Sequence, residues 1–412
     1  MMGLGGLLGR VLDRPLSLGR AAPDDRAIAD LCKALLTEAG EATGLSLAKT
    51  ILARYASLDD EEKRDFFMTL ARDMDVNAGA VHQTIDAYDS DPTRDTYRAY
   101  AAASEPPRQE LIRRLNRVPG ATARLVAMRA DLLRLTDLSG RLGALDQDFR
   151  HLFSSWFNRG FLVLSPIDWR SPALILEKII AYEAVHDIAG WDDLRRRLQP
   201  ADRRCYGFFH PAMPDEPLIF VEVALTRGIP GSVQRLLSDK RDPITADEAD
   251  TAVFYSISNC QSGLAGISFG NSLIKQVVED LGRDLKGLKT FVTLSPIPGF
   301  MKWLGDQDVS ADLSEPDTLR RLTATYLLDA KRGQGPLDPV ARFHLGNGAL
   351  VHAVHAEADI SEKGRKQSAG AMVNYLYDPD RLAQNHEALA THGTIASSAS
   401  VRSLAGAGRR LL

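Results

Sequence analysis

Three short stretches carry residue types that could do chemistry together. From Thr251 to Phe300 the chain reads strand (TAVFYSIS), small-residue loop (NCQSGLAGISF), helix (GNSLIKQVVEDLG) and strand (TFVTLSP). Gly263, Gly266 and Gly270 would let backbone N–H groups approach phosphate oxygens, and the helix N-terminus adds about half a positive charge. That is a physical recipe for a pyrophosphate site, although glycine-rich turns before helices are common. Next, in LSPIPGF, Ser295 stands where two prolines and a glycine stiffen the end of a strand. Its hydroxyl would point in a fixed direction; a turn serine bonding its own backbone is the competing reading. Lastly, His344 lies in DPVARFHLGNGA. An imidazole with an ordinary pKa of about 6.5 suits proton donation near neutral pH. A histidine wedged between apolar residues such as Phe343 and Leu345 is, however, more often a satisfied structural histidine than a catalytic one. Gly346, Asn347 and Gly348 permit a tight turn behind it.

Other candidates carry less. The glycine loop departs from the dinucleotide fingerprint in spacing, and no acid follows at the expected distance. It is closer to the acetyltransferase arrangement, where a strand, a glycine loop and a helix hold a coenzyme A pyrophosphate. The run QSGLAG, from Gln261 to Gly266, is similar to that family's motif with the glycines out of register. His352 and His355 form an HxxH, but in strand-like text that spacing puts them on opposite faces, so no metal site follows. Glu183 and His186 sit one turn apart on an expected helix over 173–186 and could pair, an ordinary surface contact being the plainer reading. Cys260 borders the loop without a nameable partner base. A serine hydrolase is disfavoured, since Ser295 precedes proline and no GxSxG elbow exists.

The elements that must position these residues divide the chain in two. At 412 residues, two domains are the natural expectation. From about residue 24 to 157 the text is helical. Leu31 and Leu35 mark one stripe, and Ile51, Leu52 and Tyr55 another. The acids of SLDDEEK suit a helix start ahead of Phe66, Phe67 and Leu70. A further helix begins near Gly120 with Leu125, Met128 and Leu132. After about residue 160 strands predominate, in GFLVLSPIDW, RCYGFFHP, PLIFVEVALT and ALVHAVHAEA as well as the two named above. The fold class expected is therefore α+β, an all-α bundle at 1–157 followed by a mixed domain at 158–412.

Composition excludes more than it identifies. Apolar residues make up 44% of the chain and charged residues 25%, and the net charge of −4 leaves no footprint for nucleic acid or an anionic membrane. Three scattered cysteines with no CxxC pair fit a reducing compartment, so the expected location is the cytoplasm. The Arg-bearing, Leu/Gly-rich start reads either as an organellar leader or, preferably, as a frayed segment before the first helix.

Taken together, FYSISNCQSGLAGISFGNSLIKQVVEDL, TLSPIPGF, FHLGNGA and NYLYD resemble the malonyl-CoA decarboxylase family, in order and with similar spacing over roughly residues 160 to 380. The resemblance implies an oligomerising helical domain, in a homotetramer, before an acetyltransferase-like (GNAT-like) catalytic domain. It implies conversion of malonyl-CoA to acetyl-CoA and CO2 through a thioester enolate, with neither metal nor organic cofactor. The family's catalytic serine falls on Ser295 and its proton-donating histidine on His344. Its coenzyme A segment falls on Ala265, Gly266, Ile267, Ser268, Phe269, Gly270 and Asn271. Supporting residues fall on Ser256, Tyr377 and Lys178. A glutamate of animal members is replaced by Ser268, so no third carboxylate is carried over. The chain closes in Arg-Arg-Leu-Leu, without the peroxisomal Ser-Lys-Leu. Two other classes stay open: an acyl-CoA-dependent N-acyltransferase, which would need an amine acceptor, and a non-catalytic acyl-CoA-binding protein, which would bind without turnover.

Overall fold

A computed structural model of the chain describes residues 24–267, 273–307, 309 and 311–412. The chain divides into two compact units, the first comprising 1–125 with 131–149 and the second 126–130 with 150–412.

The first unit is helical, as its periodicity predicts. Helices Ile28–Thr37, Glu41–Ser57, Asp60–Asp73 and Pro107–Leu115 bury Leu31, Leu35, Ile51, Leu52, Phe66, Phe67 and Leu111. The start of the third helix is set by Asp59, one of the acids of SLDDEEK. Its carboxylate accepts from the N–H groups of Glu61 and Glu62, both at 2.9 Å, while Glu62 reaches back to Asp59 N. Buried Arg108 is held by Asp148 and by Asp75. Helices Ala78–Ser90 and Arg94–Ser104 bury none of their residues, and Tyr97 is 56% exposed.

The second unit is built on one mixed sheet. Its strands are β1 (Val163–Pro166), β2 (Arg203–Phe209), β3 (Ile219–Thr226), β4 (Thr251–Asn259), β5 (Thr290–Thr293), β6 (Ser295–Pro296), β9 (Leu350–His355) and β10 (Met372–Leu376); β7 (Lys331–Arg332) and β8 (Gly335–Pro336) form a separate hairpin. Neighbours run β1-β2-β3-β4-β5-β10, with β6 continuing β5 along one edge of β10 and β9 on its other edge. Every pairing is antiparallel except β4 with β5. One face packs Phe254, Val223, Val373 and Tyr375 against helices Leu273–Asp284 and Pro316–Asp329. The other packs under helices Ala173–Tyr182, Trp191–Leu198 and Val233–Leu237.

Two local features open this sheet. β4 pairs with β5 only from Thr251 to Phe254, then stays with β3 out to Asn259. The β3–β4 register shifts between Glu222 and Val223, which makes Tyr255 an extra residue that bends β4. On the other side Pro296 has no N–H for a ladder, so β6 ends after two residues. The strands part, leaving a wedge beyond Phe254 and Leu294.

The helix expected over 173–186 stops at Tyr182. The carboxylate of Glu183, 8% exposed, accepts from the N–H groups of Val185 and His186, each at 2.8 Å, and turns the chain. Glu183 is thus a buried cap, not a surface partner of the His186 ring. NYLYD, carried only as a motif, contributes to β10 near the centre of the sheet.

Candidate active site

The wedge holds a cavity of about 280 Å3. Val185, Ile257, Val340 and Phe343 supply apolar walls, and Asn259, Ser295 and His344 supply polar groups. A larger cavity of about 1000 Å3 is lined by His186 and shares Val185 with the first.

Ser295 is placed by strand pairing, with Val373 opposite it, and is 6% exposed. His344 is placed by the helix Pro339–Gly346, which has Asp338 as N-cap and Pro339 at its first position. At the helix end Asn347 N bonds the carbonyls of Phe343 and His344, and Gly348 takes a φ of +86°. A Cβ at Gly348 would stand 2.1 Å from Leu382 O, so the expected turn does require glycine there.

These elements bring three of the expected residues into one hydrogen-bonded chain. His344 Nδ1 lies 2.8 Å from the Tyr377 hydroxyl, and His344 Nε2 lies 3.2 Å from Ser295 Oγ. Ser295 donates in turn to Thr293 Oγ1 at 2.8 Å, which also accepts from Tyr375 N at 3.1 Å. The Tyr375 ring stacks on the imidazole, with centroids 4.6 Å apart. Because the Ser295 proton is given to Thr293, its oxygen accepts from Nε2–H, which leaves Nδ1 to accept from the Tyr377 hydroxyl. Burial lowers the His344 pKa to about 3 and pushes that of Tyr377 well above its usual range. The result is a neutral imidazole whose Nε2–H points to Ser295 at the wall of the cavity.

Ser256 and Lys178 fall in other networks. Ser256 donates to the Glu183 carboxylate, at 2.8 and 2.7 Å to its two oxygens. Lys178 forms an ion pair with Glu216, which also receives Gln261 Nε2 at 3.3 Å. Neither touches Ser295 or His344.

Of the expected coenzyme A segment, Ala265 and Gly266 are exposed and Ile267 is buried, while Ser268, Phe269, Gly270 and Asn271 lie outside the described residues. Gly263 has a packing role: a Cβ there would stand 1.9 Å from Val126 O. Arg129, 1% exposed, donates to the carbonyls of Gly263 at 2.7 Å and Ala265 at 2.9 Å. Arg150 reaches Gly266 O at 3.4 Å. Sequence reasoning passed over Arg129 and Thr293. Arg129 had no signal, being 134 residues from its partner; Thr293, in TFVTLSP two residues before Ser295, was readable as a same-strand neighbour.

Fold and site together define an α+β protein whose mixed sheet parts around a buried Ser–His–Tyr chain. Comparison with known proteins refines that class. The N-terminal domain of malonyl-CoA decarboxylase matches residues 74–157, and the C-terminal domain matches 160–318 and 305–410. The mitochondrial malonyl-CoA decarboxylase of Anser anser anser is 36% identical over 336 residues, 68% of this chain and 65% of the relative. Crystal structures of malonyl-CoA decarboxylase from Rhodopseudomonas palustris and Agrobacterium vitis are each 50% identical with a TM-score of 0.86. The first alignment covers 91% of this chain and 98% of the other, the second 92% and 99%. The chain belongs to the malonyl-CoA decarboxylase family, as the motifs led us to expect. It aligns with about two-thirds of the length of the curated animal relatives. No helix among the described residues is long and apolar enough to cross a membrane.

Proposed function

We propose that the chain converts malonyl-CoA to acetyl-CoA and CO2, with Ser295 and His344 as catalytic residues. The observation that carries this reading is the Ser295–His344–Tyr377 chain, buried and uncharged, at the wall of a 280 Å3 cavity. In the reaction the bond between the α-carbon and the carboxylate breaks, and its electron pair passes into a thioester enolate as CO2 leaves. Donors aimed at the new oxyanion in a water-poor site stabilise that state. The Ser295 hydroxyl handles the malonyl group, and His344 delivers the Nε2 proton to the α-carbon. An enolate carbon is basic enough to take a proton from a neutral imidazole, and solvent restores it after product release. Tyr377 holds the tautomer in which Nε2 carries that proton. The loop at 265–271 takes the coenzyme A pyrophosphate, its described part anchored from beneath by Arg129.

The helical domain at 1–157 serves assembly of a homotetramer; the helices 78–90 and 94–104, which bury nothing in the single chain, support this. Three free, buried cysteines support a place in the cytoplasm.

Incubating the purified protein with malonyl-CoA alone should give acetyl-CoA and CO2 in equal amounts. Ser295→Ala and His344→Ala should each lower turnover by about 100- to 1000-fold. Near-wild-type turnover in either variant removes that residue from the mechanism. Malonate with free coenzyme A, or a requirement for an amine, points to hydrolysis or acyl transfer and overturns the reaction.

A further inference from the structure

We infer that Asp338 is a positioning residue that holds Ser295 and His344 in register; this rests on the reading above, in which those two side chains do the chemistry. Asp338 is 2% exposed and forms no ion pair among the described residues. Its Oδ1 accepts from Val340 N at 2.9 Å and Ala341 N at 3.0 Å, which caps the helix carrying His344. Its Oδ2 turns the other way and accepts from Gly299 N at 3.2 Å and from the Tyr326 hydroxyl at 3.4 Å. Gly299 belongs to the LSPIPGF turn that Ser295 begins. One carboxylate therefore grips the root of the histidine helix and the turn behind the serine.

A cap alone does not call for this residue. Serine or threonine satisfies the first N–H groups of a helix without burying a charge. What only the second carboxylate oxygen supplies is the bond to Gly299. The fit on that side is close: a Cβ at Gly299 would stand 2.2 Å from the Tyr326 hydroxyl and 3.4 Å from Asp338 Oδ2. The contact that the clamp protects is weak by itself. A hydroxyl and a neutral imidazole at 3.2 Å do not align two separate elements of the chain. Misplacement of a reacting group by about 1 Å can cost about 100-fold in rate.

The test is Asp338→Ser, which keeps an acceptor for the cap and removes the oxygen facing Gly299. We expect kcat for acetyl-CoA formation to fall by about 10- to 100-fold with KM for malonyl-CoA within about threefold. In a Ser295→Ala background the same change should cost less than about threefold, because an absent hydroxyl cannot be misaligned. Independently of turnover, the His344 Nε2–H proton should exchange with solvent faster in Asp338→Ser than in the parent chain by nuclear magnetic resonance. Full kcat in the folded variant, equal losses in both backgrounds, or an unchanged Nε2–H exchange rate overturns the inference. If Asp338→Ser does not fold, Asp338→Asn makes the same comparison, since its carbonyl keeps the cap and its amide cannot accept from Gly299. A parent chain that yields no acetyl-CoA fails the decarboxylase reading instead, and the exchange measurement still decides the role of Asp338.

Discussion

The two faces of the sheet solve the burial of polar groups in opposite ways. The groups that touch the His344 ring are neutral: a hydroxyl on each ring nitrogen and a stacked Tyr375 ring, with a pKa lowered by burial alone. On the other face Glu222, wholly buried, pairs in register with Ser256 and meets Arg197 Nη1 at 3.2 Å. Arg197 is itself held by Asp193 and by the carbonyls of His186 and Asp187. Burial first, and the neighbouring Glu183 second, push Glu222 up to about 8 against the pull of that arginine. The difference teaches where chemistry can sit. A guanidinium gripped by carboxyl groups and carbonyls makes a rigid floor, whereas an uncharged chain of donors leaves its proton free to meet charge that develops only during reaction. The floor is coupled to the candidate site through Glu183, which holds Val185 in the wall of the 280 Å3 cavity.

The sharpest way to break this comparison is to remove the neutral donor. His344→Gln should lower kcat by about 1000-fold while the protein stays folded. If His344 is neutral throughout the working range, kcat/KM of the parent chain should also show no inflection near pH 6.5. A bell centred there would show that the imidazole titrates and that burial does not rule the site.

A smaller effect is expected one bond away. Tyr377→Phe frees Nδ1 to take the proton, and kcat should fall by about 10-fold with KM little changed, the size of one hydrogen bond. Unchanged kcat would mean that Phe343 and Tyr375 alone set the ring.

The least effect on turnover, and the cleanest contrast between the faces, concerns stability against pH. The folded-state pKa of Glu222 is raised from 4.5 to about 8, so its contribution is full below pH 4.5 and is lost as pH rises to about 8. The pKa of His344 is depressed from 6.5 to about 3, so its contribution is present above pH 6.5 and is lost as pH falls to about 3. Thermal melts should therefore show Glu222→Gln gaining on the parent chain from pH 5 to 8, and His344→Gln gaining as pH falls from 6.5. Parallel melting curves for either variant would contradict that pKa.

Much was legible in the residues themselves. Helical periodicity, the stiff LSPIPGF turn, the glycine at 348 and the strand texts depend on neighbours within a few positions, and local sterics carry that information. Local text misled where a distant partner intervenes. Glu183 reads as the last turn of a helix, yet its carboxylate is claimed by Ser256, 73 residues on. Gly263 reads as phosphate-binding, yet its missing side chain admits the backbone of Val126.

By itself the sequence determined the helical and mixed halves, the rigid segments that present Ser295 and His344, and, through its motifs, the family. Which groups meet was decided only by tertiary structure. His344 is 49 residues from Ser295 and 33 from Tyr377, and only the folded chain brings those two hydroxyls to its ring. Burial, which sets its proton, is a property of the closed sheet and helices together, and no local pattern encodes it.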